Sequence, residues 1–104
     1  MYLVTNKQTR PNTDVEFFSM HIDSYPTNLK SYFHETYKKP GKLVFVEKTV
    51  SDNGLEQTTT TMWESKQVYD EFISDTNLSE HWVLQSQYMR DNSISRSRID
   101  REEI

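Results

Sequence analysis

The period of apolar and polar positions changes several times along this 104-residue chain, and each change marks an element. Residues 2–10, YLVTNKQTR, are rich in β-formers and stop at Pro11-Asn12, where both residue types favour a turn, so the first element is a strand. In DVEFFSMHID, residues 14–23, Val15, Phe17 and Phe18 fit either a continuing strand or a short helical turn. That stretch is expected to be an ordered, partly buried connection. From Tyr25 to Lys39 the positions Leu29, Tyr32, Phe33 and Tyr37 follow helical spacing, with Pro26 near the start and Pro40-Gly41 as the stop. Lys38 and Lys39 complement the negative end of that helix.

KLVFVEKTV and LEQTTTTMW flank Ser51-Asp52-Asn53-Gly54, and an Asn-Gly pair between β-rich runs predicts a hairpin, because both residues tolerate positive φ. The run of four threonines belongs to the second strand of this hairpin. Threonine is β-branched and stiffens extended backbone, while its hydroxyl accepts water on one face and packing on the other. Leu55, Gln57, Thr59, Thr61 and Trp63 share one face, with Glu56, Thr58, Thr60 and Met62 on the other. One side of the strand is therefore expected to line a half-polar cavity.

Ser65 is placed to cap a helix carrying Val68, Tyr69, Phe72 and Ile73 on one stripe, with Trp63 packed under its first turn. Asn77-Leu78-Ser79-Glu80 resembles a capping box that opens a second helix, with Leu78, His81, Trp82, Gln85, Tyr88 and Met89 on one side. Val83 and Leu84 are left as apolar contacts for a partner, and Asp91-Asn92 ends the helix. The tail ISRSRIDREEI predicts a last strand, at an edge or spanning a dimer. The order β-α-β-β-α-(α)-β predicts an α+β class, a ferredoxin-like antiparallel sheet with helices on one face. The chain is short enough that residues 1–104 are expected to form one domain. An open sheet face carrying threonine and aromatic residues predicts that two copies close face to face as a dimeric α+β barrel.

Composition narrows the partners. The formal charge is −4 with a pI near 5.3, which argues against nucleic-acid binding, since phosphate contacts need basic surface. There is no cysteine, so disulfide and thiolate-metal chemistry are excluded. No apolar run approaches the roughly 20 residues that span a bilayer, and MYLVTNK lacks the features of a signal peptide. A soluble, cytoplasmic protein without membrane contact is expected. Hydrophobic residues make up only 34% of the chain and aromatic ones 12%, which predicts a small core built on rings.

The hairpin running into TMWESKQVYDEFIS, followed by LSEHW, resembles the dimeric α+β barrel superfamily, in particular small domains similar to antibiotic-biosynthesis monooxygenases. The resemblance covers residues 42–92, and by element order the N-terminal third. The chain also has a look of short phage proteins of no assigned activity. Some members of the superfamily oxidise polycyclic phenols without metal or cofactor, some degrade haem, and many have no known activity. By position, Trp63 matches the tryptophan that commonly ends the third strand, and His81-Trp82 lies where a second aromatic or histidine is found. Haem-degrading members pair an asparagine with a histidine on the first helix. Here Asn28 and His34 are six apart and share no face, so no haem and no other cofactor is expected.

Of the three histidines, His21 with Asp23 supplies two metal ligands where a site needs three or four, so no metal is expected. His34 and Glu35 read as a solvated pair. His81, on an apolar stripe, is either a satisfied, partly buried histidine or a base or hydrogen-bond donor in a pocket. Trp63, Trp82, Tyr32, Tyr69 and Tyr88, with Thr59 and Thr61, either line a pocket for a small aromatic ligand or form ordinary core. Arg96, Arg98 and Arg101 form a small basic tail that either binds an anion or, as the simpler account, pairs with Asp100, Glu102 and Glu103. No phosphate loop, nucleophile elbow or paired-carboxylate signature is present. The functional expectation is a homodimeric, non-catalytic binding or accessory protein. The alternative is a cofactor-independent monooxygenase-like enzyme with His81 as base and Trp63 and Trp82 as walls.

Overall fold

The computed structural model describes residues 1–104. Strand β1 (Tyr2–Thr9) is followed by helix α1 (Thr27–Phe33), which runs into a π-helical turn (His34–Lys38). The hairpin β2 (Leu43–Val50) and β3 (Glu56–Trp63) leads to helix α2 (Lys66–Ser74), a 3-10 turn (Thr76–Leu78), helix α3 (Ser79–Asp91) and strand β4 (Ser95–Glu103). The sheet order is β2-β3-β1-β4, with every neighbouring pair antiparallel. No helix is long and apolar enough to cross a membrane.

Because residues opposite one another in an antiparallel pair share a face, the register fixes what the helices see. From one end to the other, the inner face carries Leu43, Trp63 and Tyr2, then Val46, Thr61 and Val4, then Lys48, Thr59 and Asn6, then Val50, Gln57 and Gln8. It is apolar at the first row and polar by the third. The outer face carries Phe45, Met62 and Leu3 in one row and threonines with charged residues beyond it. Bulges at Val44 on β2 and near Ile99 on β4 shift the register of each edge strand by one residue.

Two clusters of buried side chains follow from this inner face. The first packs Tyr2, Val4, Leu43 and Trp63 of the sheet against Phe33, Tyr37, Phe72 and Leu78, with Trp63 and Phe72 ring centres 4.8 Å apart. The second joins Phe18, Ile22 and Tyr25 of the connection after β1 to Leu29, Met89 and Ile94. Met20 touches both clusters. The connection is tied to the sheet by Gln8, whose Nε2 donates to the Phe18 carbonyl and whose Oε1 accepts from the Phe18 amide, both at 2.9 Å. Arg10 binds it a second time, donating to the carbonyls of Gly54 and Val15 at 2.7 Å each.

Several local expectations are corrected. The first helix is shorter than Tyr25–Lys39 and changes pitch after Phe33, so Tyr25 lies before it, buried in the second cluster. In the hairpin loop only Gly54 takes positive φ, at 76°, while Asn53 uses its Oδ1 to accept from the Leu55 amide and the Ser51 hydroxyl. The expected capping box is absent. Asp75 instead accepts from the Asn77 amide and, through its other oxygen, from the hydroxyls of Tyr32 and Tyr37 at 2.7 Å each. Burial alone would raise the Asp75 pKa, but those two hydroxyls together with Asn77 outweigh it and hold the carboxyl below its usual value. Ser65 does cap α2, accepting from the Val68 amide at 3.1 Å. The C-terminal arginines make no ion pair with their acidic neighbours. Arg101 donates to the Thr5 carbonyl and to Asn6 Oδ1 across the strand.

Helix α3 ends at Asn92 in a Schellman motif, with the Ile94 amide donating to the Met89 carbonyl at 2.8 Å and Ser93 at φ 54°. Ser93 is the only non-glycine residue with positive φ, and a left-handed conformation costs such a residue about 1 kcal/mol. Ser93→Gly is therefore expected to stabilise the protein by about 1 kcal/mol. Urea unfolding checks it: the midpoint should rise with an unchanged slope, and a fall in the midpoint would contradict the assignment.

Candidate ligand cleft

Where the inner face of the sheet turns polar, the helices no longer rest on it. A cleft of about 280 Å³ is left between the two core clusters. Its floor is Thr59 and Thr61 of β3 with Asn6 and Gln8 of β1, and its walls include Trp63, Phe33, Phe72 and Trp82. Thr61 shows why threonine suits this floor, since its hydroxyl accepts from the indole Nε1 of Trp63 at 2.9 Å and donates to the Val4 carbonyl at 3.5 Å. The hydroxyl thus fixes the orientation of the largest ring in the core.

His81, on the first turn of α3, is buried at 6% exposure between Phe18, Tyr25 and the neighbouring Trp82 ring. Its Nδ1 is 2.8 Å from the Tyr25 hydroxyl. That hydroxyl has no other acceptor in reach, so it donates to Nδ1 and the ring proton belongs on Nε2. Nε2 has no protein partner and is the nitrogen left for the cleft that His81 lines. Burial, and after it the charge of Arg96, lowers the His81 pKa to about 4, while burial pushes the Tyr25 hydroxyl up to about 12. At neutral pH the pair is therefore uncharged, and His81 offers the cleft an N–H donor. Trp82 adds a buried indole N–H that has no partner.

Of the residues singled out from sequence, Trp63, Trp82, Tyr69, Thr59, Thr61 and His81 come together at this cleft. Tyr32 and Tyr88 do not. Tyr32 spends its hydroxyl on Asp75, and Tyr88 donates to the Glu16 carbonyl at 2.6 Å on the far side of the second cluster. His21 is exposed and 3.0 Å from Lys30 Nζ, and no third carboxylate or imidazole joins it and Asp23. Phe18, Tyr25, Lys38 and Lys48 were missed, though the alternation along β1 that puts Asn6 and Gln8 beside Val4 could have marked the floor; of the basic tail, Arg96 lines the cleft.

No family model and no curated protein matches this sequence. Solved structures do resemble it. One is a protein from Deinococcus radiodurans provisionally assigned as an antibiotic biosynthesis monooxygenase, at TM-score 0.50 and 8% identity, covering 100% of this chain and 96% of that one. Another, from an uncultured marine organism, is described as a dimeric ferredoxin-like protein, at TM-score 0.53 and 9% identity, covering 99% of this chain and 97% of that one. The fold is ferredoxin-like. At such identities the likeness extends to the fold and not to the chemistry of the cleft.

The neutral His81 makes stability depend on pH. The unfolded chain takes up the proton near pH 6.5, whereas the folded protein resists until about pH 4. The contribution of His81 is thus complete above pH 6.5 and lost as the pH falls through that interval. The expected loss between pH 7 and pH 4 is about 3 kcal/mol. Urea unfolding of His81→Asn at both pH values should show a correspondingly flatter dependence. The same slope in the variant would assign the acid sensitivity to other groups.

Proposed function

We propose that this protein binds a small aromatic molecule in the cleft and does no chemistry on it. The observation that carries this reading is the aromatic-walled cleft of about 280 Å³, near the lower end of the roughly 300–1,000 Å³ range of small-molecule sites, with an imidazole N–H at its wall. The monooxygenase-like alternative needs His81 as a base towards a phenol. A base of pKa about 4 is poorly matched to that task, and its cleft-side nitrogen already carries the proton. Accepting a proton there would require the tautomer held by Tyr25 to reverse.

A titration of labelled protein with small bicyclic aromatics, followed by amide and indole NMR shifts, tests the reading. Shifts are expected to cluster at Thr59, Thr61, Trp63 and Trp82, and Thr59→Phe, which fills the floor, should weaken binding at least about tenfold. Oxygen uptake with a bicyclic phenol should stay at background. Uptake that disappears in His81→Asn would instead favour the enzyme.

The proposed partner is a second copy of the chain, joined through the outer sheet face. Phe45, exposed at 45%, stands in line with Met62 and Leu3 there, and such a row gains by being covered. The dimeric description of the marine protein supports the same reading. Light scattering is expected to give twice the 12.4 kDa chain mass, and Phe45→Glu should return the mass to that of one chain. A wild-type mass of 12.4 kDa at micromolar concentration would overturn the dimer.

A further inference from the structure

The charges that line the cleft are all of one sign. Lys38, Lys48 and Arg96 contribute to it and no aspartate or glutamate does. The chain as a whole has 16 acidic and 12 basic residues, a proportion at which three cations would be accompanied by about four carboxylates. Nor are these cations neutralised from outside. The four ion pairs of the molecule engage Lys7, Lys39, Lys42 and Lys66, and leave the three cleft cations without a carboxylate within reach.

Two of the three gather at one mouth of the cleft. Lys48 stands on the inner face of β2 beside Thr59, and Lys38 ends the π-helical turn after α1. His21, with Lys30 Nζ against its Nδ1, is at the same place. These groups feel one another: burial and then Lys38 depress the Lys48 pKa, and Lys30 above all, with burial, Lys48 and Lys38 behind it, depresses that of His21. A second cleft, of about 310 Å³, opens on the other side of Met20, His21, Phe33 and Lys38, so this positive group sits where two spaces meet; the one carboxylate lining that second space, Glu35, is paired with Lys39. Unopposed like charges beside an apolar wall repel and focus a field into the space between them.

We infer that the occupant of the cleft is an amphipathic anion, with a flat aromatic body among Phe33, Trp63, Phe72 and Trp82 and a carboxylate held at the mouth by Lys38 and Lys48. This rests on the reading of the cleft as a ligand site. A carboxylate there supplies the charge that the lining lacks, and the aromatic body covers the rings. An amide or alcohol of the same shape would fill the walls and leave the repulsion in place.

The experiment uses the full chain and two probes of nearly equal shape, 2-naphthoate and 2-naphthamide, titrated calorimetrically and by the indole NMR signals of Trp63 and Trp82. The naphthoate is expected to bind about tenfold more tightly at low salt, and to lose most of that advantage at about 0.5 M salt. In Lys48→Met, at an exposed edge-strand position, the preference for the acid over the amide should fall below about threefold. Equal binding of acid and amide overturns the anion while leaving the cleft a ligand site. No response of either indole to either probe overturns both readings. A preference that survives Lys48→Met and vanishes in Arg96→Met moves the carboxylate to the β4 edge and overturns its assignment to the lysine mouth.

Discussion

The inner face of the sheet is apolar at one end and polar at the other, and the layout of the molecule depends on that gradient. Where Leu43, Trp63 and Tyr2 face the helices, burial of large rings holds α2 and the end of α1 close, and Trp63 and Leu78 are almost fully covered. Two rows further along, Lys48, Thr59 and Asn6 offer nothing that a helix gains by covering. Close packing over those groups would strand their hydroxyl, amide and ammonium atoms. The cleft is the space that this refusal leaves, and the run of threonines is what sets its position along β3.

The far end of the cleft is closed by the irregular connection after β1, which brings its own small core. Such a segment holds still only if its backbone polar groups find partners. Gln8 supplies them by pairing with both the amide and the carbonyl of Phe18, as a neighbouring strand would. Phe18 and Tyr25 then flank His81, and the Tyr25 hydroxyl selects the tautomer. The electrostatic character of the cleft therefore follows from a loop far from α3 in sequence. Burying the imidazole keeps it neutral, and the same burial that positions it weakens it as a base.

Much of this was legible in the sequence. The four strands, the hairpin, the Ser65 cap and the shared face of Thr59, Thr61 and Trp63 all follow from local periodicity and turn chemistry. What failed to show depends on contacts between distant segments. Asn77 fits a capping box by spacing, yet it lies inside a 3-10 turn capped by Asp75, whose carboxylate two tyrosine hydroxyls from α1 and its π-turn also hold, and α3 follows Leu78 without a side-chain cap. Arg96 looked like part of an acid-balanced tail until the bulge near Ile99 put it opposite Gln8 on the inner face. Tyr32 and Tyr88 have the periodicity of pocket residues, but a hydroxyl with a strong acceptor nearby turns away from any cavity. Period reveals which face a side chain takes and says nothing of which partner it finds there.

A polar inner face has a cost that explains the other surfaces. Only 16 of 104 residues are buried, so the core alone stabilises the fold weakly for its size. Anything that binds the folded state and not the unfolded chain adds stability in proportion to the logarithm of its concentration over its dissociation constant. A ligand in the cleft would offset the repulsion among Lys38, Lys48 and His21, and a second copy on the outer face would cover Phe45, Met62 and Leu3. The two would act on opposite sides of one sheet and share β3, whose alternating threonines face both. Thr59 and Thr61 floor the cleft while Thr60 meets Thr5 on the outer face, so a ligand and a second copy would each bear on the same strand from opposite sides.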